Sequence, residues 1–217
     1  MFRRLFGPDA HSTLIEAAFK DVSSMLAQSA RMFDLAVQAL LENEPLSADL
    51  DAMDDTVDEG ERMVRRTVLQ HLSVNPQHDL VASLVLASMV QDAERIGDFA
   101  LGLGEVVNLA KGPREGPFRD ELRELVAELR PLFQLCEAAF REDDPEKARN
   151  VMASHRAFKK KVLDFTRRVA ESDLNANMAV VYAGTARALR RISAHLSNIA
   201  SSVVQPYDRI RRGDEDI

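Results

Sequence analysis

The residues of this chain best suited to chemistry are four acids in two pairs, Asp54 with Asp58 and Glu94 with Asp98. The members of each pair stand four residues apart, so on a helix they share one side and lie one turn from each other. Like charges at that spacing repel, at a cost of about 0.2–0.5 kcal/mol per pair. Gly97, inside the second pair, adds roughly 1 kcal/mol if it lies in a helix interior. Two acidic pairs on neighbouring helices could form a hard-oxygen site for iron, manganese, magnesium or zinc. The alternative is a set of solvated acids offset by Arg62, Arg65, Arg66 and Arg95, the usual meaning of a charge run on a helix. At about 100° per residue, Glu94 and Asp98 point away from the stripe of Met89, Ala93, Ile96 and Ala100 and are expected at the surface. Asp54 and Asp58 fall at the border of their own stripe.

Other reactive side chains are less promising. None of the five histidines (His11, His71, His78, His155, His195) has an acid three residues before it. The Glu-x-x-His pair of di-iron helical bundles is therefore missing. His155 lies on an apolar stripe and reads as a packed histidine, and His195 as a helix-packing one. Cys136 falls among Leu132, Phe133, Leu135 and Phe140 and reads as a small buried hydrophobe. No phosphate loop, dinucleotide fingerprint or Gly-x-Ser-x-Gly elbow is present. With no nucleophile beside a base, no catalytic residue and no enzymatic activity are expected.

The elements that must position these acids are helices. Glycine and proline gather at Glu44-Pro45, Asn75-Pro76, Lys111 to Pro117, Asp143 to Pro145 and Gln205-Pro206, and Asp173 to Asn175 marks a further break. These breaks leave six segments of about 25 to 35 residues with helical and no strand periodicity. Leu50, Met53, Val57, Gly60, Val64 and Thr67 recur at spacings of three and four in the second segment. Val151, His155, Phe158, Val162, Phe165 and Val169 do so in the fifth. Such stripes are the pattern of bundle helices. Ser47 is the expected N-cap of helix two, with Asp49 and Asp51 in its first turn. Asp144 before Pro145 should cap helix five.

The chain also repeats. Leu84–Asp98 on helix three and Val180–Ala194 on helix six align at a shift of 96, placing Arg95-Ile96 on Arg191-Ile192. Helix two falls on helix five at a shift of 98. Two tandem three-helix units are expected, an all-α fold with residues 1–111, a linker at 112–117, residues 118–206 and a charged tail at 207–217. Helices three and six, rich in Ala, Ser and Gly, should form the central pair where the units meet. The second unit lacks the acids: Glu94 maps onto Arg190, Asp98 onto Ala194, Asp54 onto Met152 and Asp58 onto Arg156. A symmetric second cation site is not expected, since basic groups repel a cation. The face of Lys159, Lys160, Lys161, Arg187, Arg190 and Arg191 is either solvated or suited to an acidic partner.

The run Gln91-Asp-Ala-Glu-Arg-Ile-Gly-Asp98 resembles the Leu-Glu-Arg-Ile-Gly-Asp signature of the PhoU family and sits on the third helix, as it does there. Asp54-Asp-Thr-Val-Asp58 resembles that family's acidic motif on its second helix, and the six-helix, two-repeat layout matches over nearly the whole chain. The resemblance implies a regulator of phosphate uptake and phosphate-starvation signalling that contacts a phosphate transporter component and a sensor histidine kinase. It also implies surface metal clusters built on such acidic pairs, here Asp54, Asp58, Glu94 and Asp98. Accessory proteins of sodium- or proton-coupled phosphate transporters are a related variant. A metal-storing or metalloenzyme bundle, and a plain dimerisation module, are the readings from other classes.

Bulk properties agree with this reading. The 217 residues are 46% hydrophobic and 29% charged, a globular composition. Thirty-five acidic against 28 basic residues give a net charge of -7, which disfavours nucleic acid as a partner. One cysteine fits a reducing compartment, and no segment has the roughly 18 apolar residues of a membrane span. A cytoplasmic homodimer, touching membrane proteins only peripherally, is expected. Phe2, Leu5 and Phe6 beside Arg3 and Arg4 form either a loosely ordered terminus or a contact with a membrane or partner.

Overall fold

The computed structural model describes residues 13–211, which form six α-helices, with no strand among the described residues. The helices are α1 Thr13–Glu42, α2 Leu50–Val74, α3 Leu80–Leu109, α4 Pro117–Glu142, α5 Pro145–Ala170 and α6 Ala176–Val204, followed by a 3-10 turn at Tyr207–Arg209. At 1.5 Å per residue the longest are about 45 Å rods. Phe2, Leu5, Phe6 and their arginines lie outside the described residues.

Four of the five breaks between helices hold or adjoin a proline or glycine; the break at 171–175 holds neither, and there Asn175 caps α6 by accepting from Met178 N–H. Asp144 accepts from the backbone N–H of Glu146 and Lys147, and Pro145 takes the first helical position, as expected. Helix α2 differs. Its N-cap is Asp49, which accepts from Ala52 N–H at 3.1 Å, and not Ser47. Either residue type caps well. The helix starts where Leu50, 3% exposed, packs against the bare face of Gly104, so packing chose between two competent caps. Helix α4 begins at Pro117, one residue earlier than expected, because proline suits a first turn.

Helices α1, α2 and α3 pack on one another, as do α4, α5 and α6; α3 lies along α6, and α1 touches α4. The expected stripes are buried: Leu50, Val57, Val64 and Thr67 on α2, and Val151, Phe158, Val162, Phe165 and Val169 on α5. Gly184 lets Val106 approach to 3.4 Å of where a Cβ would stand, which accounts for small residues on the central pair. Ring contacts close the seam between α1 and α4, Phe33 against Phe133 at 5.2 Å and Phe19 against Phe140 at 5.1 Å. Cys136 is buried against α6, its Sγ donating to the Leu196 carbonyl at 3.3 Å, and burial pushes its thiol up.

The 112–117 linker is strapped down. Buried Arg114 donates to the carbonyls of Leu40 and Ala39 at the end of α1, and its backbone exchanges hydrogen bonds with Asn43. These bonds satisfy carbonyls that a helix end leaves open. The described part of the expected charged tail also folds back: Arg211 donates to Asp92 at 2.8 Å and to the carbonyl of Ser88 at 2.6 Å.

Candidate functional site

The turn after Val74 returns α3 alongside α2, and this brings the two acidic pairs to one seam. Asp54 Oδ1 would stand 3.0 Å from a Cβ on Gly97, so the missing side chain at Gly97 is the room Asp54 occupies. Asp54 is destabilised as an anion first by burial, then by the charges of Asp98 and Asp58. Glu94 is destabilised first by burial, then by Asp98, with Arg95 opposing and Glu61 and Asp58 adding repulsion. All four expected acids thus face one another, and Glu61 joins them. Its place was readable in principle, since Asp54, Asp58 and Glu61 follow the i, i+4, i+7 course of one helix face.

The surface expectation for Glu94 and Asp98 is corrected. Their side chains are 15% and 34% exposed, because α2 runs over the flank that their own helix leaves open. Two oxygens, Asp54 Oδ1 and Glu94 Oε2, are buried without a hydrogen-bond partner. Arginines partly balance the rest. Arg95 bonds Asp98 and stands 3.4 Å from Glu94, while Arg62 is 3.7 Å from Asp58.

Buried, uncompensated charge raises the affinity of these carboxyls for protons: Asp54 is pushed up to about 6 and Glu94 to about 7. The folded state therefore holds protons that the unfolded chain has released. The contribution of Glu94 to stability is present below its ordinary value of 4.5 and is lost as pH rises towards 7. Glu94→Gln is expected to raise stability at pH 7.5 by on the order of 1 kcal/mol after solvent screening, with the gain fading by pH 5. Urea midpoints of the two proteins at both pH values check this; a gain that grows on acidification contradicts it.

The orphaned oxygens and the all-carboxylate donor set fit a hard cation in chemistry and number. The oxygens are not yet gathered as closely as ligands. Among the described residues, the group whose ligand atoms all lie within 4.8 Å is elsewhere, His71 with His78 and Asp79.

The matching seam in the second unit has opposite character. Met152 is buried, Arg156 is exposed and Arg190 half-buried. His155, bonded to Ser193 Oγ at 2.9 Å, is pushed down to about 4 by burial and by Lys159, Arg190 and Arg156. That seam offers positive charge where the first offers negative. Of the expected basic face, Lys161 pairs with Glu128 at 2.7 Å, and Arg191 lies 5.3 Å over the Phe99 ring at the central seam.

Helix packing conceals one further cluster. Asp92, one residue into the motif from Gln91, is 3% exposed and faces α6. It accepts from His195 Nδ1 at 2.8 Å, Asn198 Nδ2 at 2.9 Å and Arg211 Nε at 2.8 Å. His195, stacked on Phe99 at 5.7 Å, has the packing role expected of it. Only the acid it serves was not foreseen.

Comparison with known proteins places this geometry. A PhoU domain model matches residues 22–107, which contain both acidic pairs. The chain is 26% identical over 192 residues to the phosphate-specific transport system accessory protein PhoU homolog 1 of Thermotoga maritima, covering 85% of this chain and 83% of that protein. The fold is similar to the phosphate transport system regulatory protein PhoU of Streptococcus pneumoniae, with a TM-score of 0.77, 16% identity and coverage of 92% and 96% of the two chains. It is likewise similar to PhoU of Pseudomonas aeruginosa, with a TM-score of 0.79, 21% identity and coverage of 88% and 95%.

Proposed function

We propose that this chain, whose residues 22–107 match a PhoU domain model, is a cytoplasmic accessory protein of phosphate transport that works by protein contact and not by catalysis. The observation that carries the reading is the 26% identity, spread over 85% of the chain, to an accessory protein of a phosphate-specific transport system. Its partners are a component of the phosphate transporter and a sensor histidine kinase, and its action restrains uptake and starvation signalling. Two copies associate as a homodimer. Long, rigid helix faces suit such contacts, because little conformational entropy is lost on docking.

Asp54, Asp58, Glu94 and Asp98 would hold a cation, iron, manganese, magnesium or zinc. When bound, it supplies positive charge to a seam that carries two buried oxygens without a hydrogen bond. The absence of an equivalent acid set around Met152, Arg156, Arg190 and Ala194 supports one such site per chain.

Pull-down tests the reading. Wild-type chain is expected to retain the transporter component and the sensor kinase, and Glu94→Ala/Asp98→Ala to retain at least about tenfold less of one of them, the loss of about 1.4 kcal/mol at an interface. Retention of neither partner by the wild type ends the regulatory reading. Equal retention by both proteins removes the acidic seam from the interface.

A further inference from the structure

We propose that His71, His78 and Asp79 form a zinc site at the α2–α3 corner, separate from the acidic seam. His71 lies in the last turn of α2 with a side chain 1% exposed, and the short turn from Asn75 brings His78 and Asp79 back over it. One ring nitrogen from each histidine and one carboxylate oxygen lie within 4.8 Å of one another. Asp79 Oδ2 is 2.8 Å from His78 Nδ1 and 3.8 Å from His71 Nε2. Tetrahedral zinc, with bonds of about 2.0–2.1 Å, sets its ligand atoms roughly 3.3 Å apart. The two spacings to Asp79 lie either side of that value, and the one between the imidazole nitrogens is within 4.8 Å.

A second observation is the way Asp79 is spent. It occupies the N-cap of α3, where an aspartate ordinarily accepts from the first-turn N–H groups. Here it makes no side-chain cap bond, its backbone is left-handed at φ 53, and its carboxylate, 4% exposed, is turned to the histidines. The helix forgoes a cap worth about 1 kcal/mol while the chain orients a carboxylate between two imidazoles.

Donor type selects the ion. Two imidazoles and one carboxylate favour zinc over magnesium or calcium, whereas the all-oxygen seam has the opposite preference. Binding needs both imidazoles in the tautomer whose ligand nitrogen is bare. His71 Nε2, now 2.8 Å from the His78 carbonyl, and His78 Nδ1, now on Asp79, pass their protons to the other ring nitrogen. The His78 side chain, 59% exposed, opens the cluster to solvent and so to an arriving ion. The ion would then tie the end of α2 to the start of α3.

Calorimetric titration of the full, tag-free chain, stripped by chelator, with Zn2+ and separately Mg2+ tests the site. Asp54→Ala/Asp58→Ala, in which the acidic seam has lost two of its own ligands, should still take up one zinc, and wild type at least one. His78→Ala, altered at an exposed ring and checked for folding by circular dichroism, should bind at least about tenfold more weakly, and Asp79→Asn likewise. No zinc uptake by wild type, undiminished zinc affinity in folded His78→Ala, or no zinc uptake at all by Asp54→Ala/Asp58→Ala each overturns the proposal. None of these outcomes touches the phosphate-transport reading, which rests on other residues.

Discussion

Replacing Asp92 by alanine is expected to lower the free energy of unfolding by about 3–5 kcal/mol, the cost of breaking a buried charge network by removing one partner. The carboxylate is the acceptor for His195, Asn198 and Arg211, side chains 103, 106 and 119 residues away. Without it, the buried His195 imidazole and the Asn198 amide keep their desolvation cost and lose their bonds. Arg211 suffers less, since its side chain is 37% exposed and can turn to water. Arg211→Ala should therefore cost only roughly 1.5 kcal/mol, the lower end of the range for a hydrogen bond to a charged group. The Asp92→Ala/Arg211→Ala double variant should then fall short of the sum, because the two share one interaction. Urea denaturation of all four proteins measures this. Additive losses, or an Asp92→Ala loss below 1 kcal/mol, would show that the network does not hold α3 to α6.

Phe165→Ala should be as damaging, again by about 3–5 kcal/mol. The ring is fully buried and meets Phe118 edge-on at 5.9 Å and Tyr182 edge-on at 6.4 Å. Truncation removes its burial, opens a cavity between rigid helices and forfeits two edge-to-face contacts. For a chain of this length that corresponds to a fall in melting temperature of roughly 10 °C. Leu163→Ala, two residues away but half exposed, should change stability by no more than about 0.5 kcal/mol. Equal effects from both would mean the cluster of Phe118, Phe165 and Tyr182 contributes no special packing.

The contrast between these two residues shows what patterning can and cannot reveal. Phe165 was legible: it continues the three-and-four spacing from Val151 to Val169, and spacing reports the angle at which a side chain leaves its own helix. Asp92 was not. It lies next to Ala93 on the buried flank of α3, and an acid there reads as an exposed residue until the opposing helix is known to carry His195 and Asn198. Glu94 was misjudged for the same reason. Its angle relative to Met89 and Ile96 is correct, but α2 covers it. His78 and Asp79 carry no such mark, since the helical metal pattern is an acid three residues before a histidine and these two stand in a turn. Their convergence with His71 runs through a turn that periodicity does not describe.

Six helices, most of their breaks at proline or glycine, their apolar stripes, the repeat with acids in one copy only and the PhoU-like motifs can all be read along the chain. All of these depend on residues within a few turns of one another. The tertiary structure alone decided which of two competent residues caps α2, that Asp54 lies in the space left by Gly97, that Glu94 and Asp98 are half-covered, and that Asp92 is a buried acceptor. Those features depend on what a second helix places opposite the first. Helical periodicity carries direction about one axis but holds no record of the neighbour.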